Sequence, residues 1–158
     1  VTGLARRLQI VLVEPRIPQN VGAVARLAAA TQSPLHIVRP IPFVLNDASL
    51  RRAGMDYLEI AAIHVHAGWP AFCAATPGTR RWFLTSRGRL SIYTVDFEPG
   101  DCLVFGSEEA GLPEWLGPEM EGRDVVIPMP EPRARCLNLA TSVAIATYAG
   151  LHRLGAVG

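Results

Sequence analysis

Asn20, Gly22 and Arg26 are the first residues whose types and spacing bear on chemistry. Gly22 and Arg26 are four apart, so on a helix they share a face, and helical side chains lean toward the N-terminus. Arg26 would then arch back over Gly22 toward the unpaired N–H groups and positive dipole end of the helix, where a phosphate or other anion is stabilised. An ordinary capped helix with a surface arginine carries the same pattern. The second group is Phe105-Gly106-Ser107-Glu108-Glu109-Ala110-Gly111-Leu112-Pro113, a strand end running into a tight loop. Gly106 there would let a ligand approach the backbone closely. Glu108 could hydrogen-bond a ligand or accept a proton, or be a solvated turn carboxylate.

The third group is Ile127-Pro128-Met129 followed by Arg135-Cys136-Leu137-Asn138-Leu139. Cys136 lies just before the N-cap candidate Asn138, and a thiol near a helix N-terminus can act as a nucleophile if a base is at hand. His152 lies on the same predicted helix roughly 24 Å away. His36, His64 and His66 can serve only if the fold brings them near, so a Cys–His hydrolase stays an open but thinly supported alternative. His64 and His66 could also face one metal from a strand, with no third ligand evident. No Lys occurs anywhere, which excludes a phosphate loop ending in Gly-Lys-Ser/Thr, and no GxGxxG follows a strand.

These groups need a scaffold, and the pattern supplies one. Leu8 to Val13 is a continuous β-branched run ending at Glu14-Pro15, as a buried parallel strand does. A helix is expected from Asn20, as its N-cap, to about Thr31, carried by the alanines. Further strands are expected at Leu35–Val38, Ile60–Val65, Arg81–Thr85, Cys102–Phe105 and Val125–Ile127. Helices are expected at Asp47–Tyr57, Trp69–Ala75, Pro113–Met120 and Asn138–Leu154. Such alternation predicts one α/β domain over residues 1–158 with a mostly parallel sheet flanked by helices. The last helix is apolar on nearly all sides until His152-Arg153, so burial against a second subunit is expected.

The chain of 158 residues is 49% apolar and 18% charged, enough to bury a core without disulfides or metal. Its three cysteines share no CxxC spacing, so free thiols are expected. Apolar runs are broken before the ~20 residues a membrane span requires, and no signal-peptide pattern opens the chain; a soluble, cytoplasmic protein is expected. Net charge is only +1, so bulk attraction to nucleic acid is excluded. The basic side chains are all Arg, which suits bidentate phosphate contacts. Arg51-Arg52, Arg80-Arg81, Arg87/Arg89 and Arg133/Arg135 could track a backbone if they share a face, or could be solvated.

The order of Glu14-Pro-Arg-Ile-Pro-Gln-Asn-Val-Gly22, Leu50-Arg-Arg-Ala-Gly-Met-Asp-Tyr57, Phe105 to Pro113 and Arg135 to Leu139 resembles the SPOUT class of knotted RNA methyltransferases. Within it the chain is most similar to enzymes of the tRNA wobble ribose; rRNA, another tRNA position, or non-catalytic RNA binding are the alternatives. The resemblance covers about Leu8 to Gly155. It implies a C-terminal deep trefoil knot, a homodimer and S-adenosylmethionine in the knot crevice, with no metal and no membrane. It further implies 2′-O-methylation of nucleotide 34, cytidine or a modified uridine, in a tRNA anticodon stem-loop. By similarity Leu84, Gly106, Ile127, Cys136 and Leu137 would hold the methyl donor. Cys136 departs from the usual Ser, which would weaken any contact that needs a hydroxyl. Arg26, Glu108 and Asn20 would do the chemistry, with Arg51, Arg52 and Arg87 on the RNA.

Overall fold

The computed structural model describes residues 7–46, 48 and 62–158. Among them, one all-parallel sheet is built from β1 (Gln9–Val13), β2 (Leu35–Val38), β3 (Ile63–His66), β4 (Arg81–Leu84), β5 (Leu90–Ser91), β6 (Cys102–Phe105) and β7 (Asp124–Val126). Their spatial order is β3-β2-β1-β6-β4-β7-β5. The helices are α1 (Pro18–Thr31), α2 (Trp69–Ala75), α3 (Gly117–Met120) and α4 (Leu139–Arg153), with a 3-10 turn at Glu114–Leu116 before α3.

The central strands read as unbroken apolar runs because both faces of the sheet are covered. Ile10 and Leu12 of β1, Leu35 and Ile37 of β2 and Leu103 of β6 pack with Val21, Val24 and Ala28 of α1 and Val143 and Ala146 of α4. On the opposite face Val11, Val13, Val38 and Val104 pack with Trp69 and Phe72 of α2 and with Leu116. Each of the Val, Leu, Ile and Phe side chains among them, fully buried, stabilises the fold by roughly 1.5–3 kcal/mol. A second, polar anchor sits at the amino end of the sheet. Buried Asp101 accepts hydrogen bonds from Arg80 at 2.7 and 3.0 Å, from the Trp82 indole at 2.9 Å and from the Glu98 N–H at 2.9 Å.

Several expectations change. Helix α1 begins two residues earlier than predicted, because Pro18 occupies its first turn with φ already suited to a helix. Its N-cap is therefore Ile17, and Asn20 is a buried residue of the first turn. Strand β3 ends at His66, one residue later than expected, and residues 60 and 61 of that expectation lie outside the described residues. The short β5 was not anticipated, since two residues carry no periodicity. The helix expected at Asp47–Tyr57 falls outside the described residues apart from Ala48.

The path around β7 governs the last third of the chain. The polypeptide passes from β4 to β5 through residues 85–89, yet β7 lies between those two strands. At Gly88 this connection presses on the β7 backbone: a Cβ there would lie 2.3 Å from the carbonyl carbon of Val125. Helix α4 then returns beside α1, burying Val143, Ala146, Thr147, Gly150 and Leu151, the i, i+3, i+4 stripe of an amphipathic helix. Its other side leaves Tyr148 45% exposed and Ala144, Ile145 and Ala149 half-buried.

Candidate active site

Strand order reverses between β1 and β6: from β1 the chain first builds outward through β2 and β3, and only later fills the other side. In open parallel sheets the crevice outside the carboxyl ends at such a reversal is where ligands bind. The register brings Leu84 of β4 level with Phe105 of β6 and Val125 of β7. Gly106 follows Phe105 directly and Ile127 follows Val126, the last residue of β7, so Leu84, Gly106 and Ile127 gather at the carboxyl ends of three adjacent strands. Gly106 is also required by the chain's own packing. The loop folds back through paired Ser107 and Gly111 hydrogen bonds of 3.2 and 3.0 Å. A Cβ on Gly106 would lie 2.0 Å from the Gly111 carbonyl carbon, so the chain itself fills that space.

The three signature segments meet through side chains. The Glu108 carboxylate accepts from the N–H of Arg16 at 2.8 Å and of Ile17 at 3.1 Å, just ahead of α1. This carboxylate lies just ahead of the helix start, where the dipole favours negative charge. Asn138 caps α4 by accepting from the Thr141 N–H at 3.2 Å, and its amide donates to the Asn20 Oδ1 at 3.2 Å. That bond ties α1 to α4 across 118 positions of sequence. Cys136 and Leu137 arrive directly before it on a segment exposed from Glu131 to Asn138. Arg26 lies midway along α1 and is exposed. It sits eight residues from Pro18, about 12 Å along the axis. Asn138 was legible as a helix cap only; nothing local in the sequence points to its long-range partner.

Other sequence-predicted residues fall elsewhere. Arg51 and Arg52 lie outside the described residues. Arg87 is exposed just beyond Leu84, whereas Arg89 reaches Asp124 at 3.7 Å. Arg80 and Arg81 do not form an RNA-tracking pair: Arg80 is held by Asp101, and Arg81 stacks over Trp69 and Phe72. Arg133 pairs with Glu131 at 2.7 Å.

The histidines form their own cluster. His36 Nδ1 lies 2.9 Å from His66 Nε2, His36 Nε2 lies 2.8 Å from Gln9 Oε1, and the rings of His36 and His64 stack. Burial first, then the neighbouring His64 and His66, lower the His36 pKa to about 4. His36 and His66 pack against Phe72, on the sheet face covered by α2, whereas Cys136 leads into α4 on the other face. The Cys–His hydrolase therefore lacks its base. The remaining thiols, Cys73 and Cys102, are pushed up by burial, Cys102 to about 11.

Comparison with known proteins adds the decisive observation: the family model described as SpoU rRNA Methylase matches residues 7–148. The chain belongs to the SpoU methylase family. A tRNA (cytidine(34)-2'-O)-methyltransferase of Methylovorus glucosotrophus is 44% identical over 140 residues, covering 88% of this chain and 90% of that one. A solved structure described as giving insight into the 2'-OH methylation of C/U34 on tRNA superposes with a TM-score of 0.89 at 42% identity. That alignment covers 97% of this chain and 99% of the other. An AdoMet-bound rRNA methyltransferase from Sinorhizobium meliloti superposes with a TM-score of 0.82 at 26% identity. It aligns with 94% of this SpoU chain, but only 57% of the relative's own length is matched.

Proposed function

We propose that this SpoU-family chain is a tRNA methyltransferase that places a methyl group on the 2′-oxygen of the wobble ribose, cytidine or uridine 34. The observation that carries the reading is near-complete two-way coverage by relatives of that activity, together with convergence of the three signature segments on one crevice.

The crevice suits S-adenosylmethionine as donor. Leu84 and Ile127 offer apolar side chains at strand ends. The stretch from Glu131 to Asn138 presents exposed backbone, with one internal backbone hydrogen bond, Ala134 N–H to the Glu131 carbonyl, leaving donors and acceptors for a nucleobase edge. Leu84, Gly106, Ile127, Cys136 and Leu137 would hold it. When bound, the sulfonium supplies an electrophilic methyl group.

The protein's share is alignment and charge management. The 2′-oxygen gains the methyl and loses its proton, so negative charge grows there before the proton departs. Arg26 is the group assigned to that charge and to the neighbouring phosphate, because its guanidinium stays protonated and makes a poor base. The phosphate is the first acceptor of the proton, and Asn20 holds the start of the helix that carries Arg26. Arg51, Arg52 and Arg87 contact the anticodon stem-loop, where an unpaired nucleotide can be splayed out.

Two larger features complete the reading. A chain that runs from β4 directly to β5, with β7 later laid between them, supports a C-terminal trefoil knot. The half-covered outer side of α4 supports a homodimer. Titrating S-adenosylmethionine calorimetrically and then assaying methyl transfer to bulk tRNA tests the proposal. Donor binding and transfer are expected, with Arg26→Lys losing at least ~10²-fold in turnover for want of the planar fork. Near-normal turnover of Arg26→Lys would remove Arg26 from the reaction, and indifference to the donor would remove the activity.

A further inference from the structure

We infer that Glu108 is a positioning residue: its carboxylate braces the β1–α1 turn across the crevice instead of taking the substrate proton. The inference rests on the methyl-transfer reading above and assigns this carboxylate a different task from the one its sequence position invites.

The geometry begins with the turn itself. Glu14 closes β1 at φ 54, a left-handed conformation that costs a non-glycine residue energy and needs surroundings to hold it. Pro15 and Pro18 lack N–H groups, and the Glu14 N–H is used on the Val38 carbonyl at 2.9 Å. Among the described residues the N–H groups of Arg16 and Ile17 have no backbone carbonyl partner; they converge on Glu108 from 92 and 91 residues away. Both carboxylate oxygens are engaged, Oε2 with Arg16 at 2.8 Å and Oε1 with Ile17 at 3.1 Å. The negative charge sits at the positive end of α1, where it is favoured. Two backbone donors, one on each oxygen, orient the carboxylate toward the turn.

The loop that carries Glu108 is itself stiff, closed by the Ser107–Gly111 pair and packed so tightly at Gly106 that no side chain fits. It hangs from β6, and α1 hangs from β1, the two strands on either side of the strand-order reversal. Glu108 therefore spans the crevice and fixes the helix bearing Arg26 relative to the strand ends that would hold the donor. With the Asn20–Asn138 bond as a second tie, α1 is held at its start by both later segments.

The experiment compares Glu108→Gln and Glu108→Ala in methyl transfer to tRNA across pH, and measures amide hydrogen exchange at Arg16 and Ile17 without substrate. Glutamine keeps a carbonyl oxygen that accepts one N–H bond but cannot take a proton. A brace predicts that Gln loses less than ~10-fold in kcat and Ala clearly more, with the pH profile unchanged in shape in both. It also predicts faster exchange of the two amides in Ala than in wild type. A general base predicts a loss of ~10²–10⁴-fold in both variants, with the limb of the profile that the carboxylate controls removed. That result, or unaltered exchange in Glu108→Ala, overturns the inference. If wild type transfers no methyl group, the functional reading fails, while the exchange measurement still decides whether the brace exists.

Discussion

Asn138 does two jobs with one amide, and they can be separated chemically. Its oxygen caps α4 and its nitrogen donates to Asn20. Aspartate is as good a cap as asparagine but has no donor. In Asn138→Asp, α4 is therefore expected to keep its stability within about 0.5 kcal/mol from the cap. The donor on the α4 side of the tie is lost, and adding Asn20→Asp, so that the Asn20 amide cannot turn its own nitrogen to the new carboxylate, leaves two acceptors facing each other; kcat of this double variant should fall several-fold. Circular dichroism melts and single-turnover kinetics measure the two effects, and a double variant with wild-type kinetics would show that the tie is idle. At this scale the sequence was informative about identity and poor about partners. Gly106, Glu108 and Asn138 stand out by type and spacing, but a carboxylate that reaches 92 residues back to a backbone amide leaves no local pattern. Asn20 lies near the start of its helix, as its type suggests, but is not the N-cap, because Pro18 sets the first turn.

At the scale of elements, close backbone approaches decide which loops are possible. Gly106 has the Gly111–Leu112 backbone where a methyl group would stand, and Gly88 has the β7 backbone in the same place. Gly106→Ala is expected to cost roughly 3 kcal/mol or more, since the obstructing atoms are backbone and cannot rotate away. Urea denaturation with an unchanged m-value would record it. A loss below about 0.5 kcal/mol would mean that the loop relaxes freely. Long apolar runs such as Leu8–Val13 and Cys102–Phe105 were legible as strands because burial on both faces demands them. The two-residue β5 was not, since pairing with β7 and not its own composition makes it a strand. The arginine pairs likewise looked alike in sequence. Only the fold separates Arg80, bound to Asp101, from Arg87, exposed beyond β4.

For the whole molecule, the histidine cluster links stability to pH. His36 is buried neutral, with a folded pKa of about 4 against 6.5 when unfolded, so the unfolded chain binds protons more readily. Its contribution to stability is complete above pH 6.5 and is lost progressively as pH falls toward 4. Between pH 7 and pH 5 the loss expected from this group, reduced by solvent screening, is at most about 2 kcal/mol. Denaturant midpoints at the two pH values should show it, and His36→Gln should flatten the dependence; an equal slope in both proteins would refute the assignment. The global architecture was only partly legible. Alternating strands and helices gave the layered α/β class, whereas the insertion of β7 between β4 and β5 is a property of chain path that no periodicity encodes.

The account as a whole stands on a methyl group transferred to one ribose. Purified protein incubated with unmodified tRNA and isotopically labelled S-adenosylmethionine, followed by nuclease digestion and mass-spectrometric mapping, measures that directly. The account predicts the labelled methyl on the 2′-oxygen of nucleotide 34 and nowhere else, dependent on Arg26. Label on a base, on a ribose outside the anticodon loop, or on no nucleotide at all would contradict it.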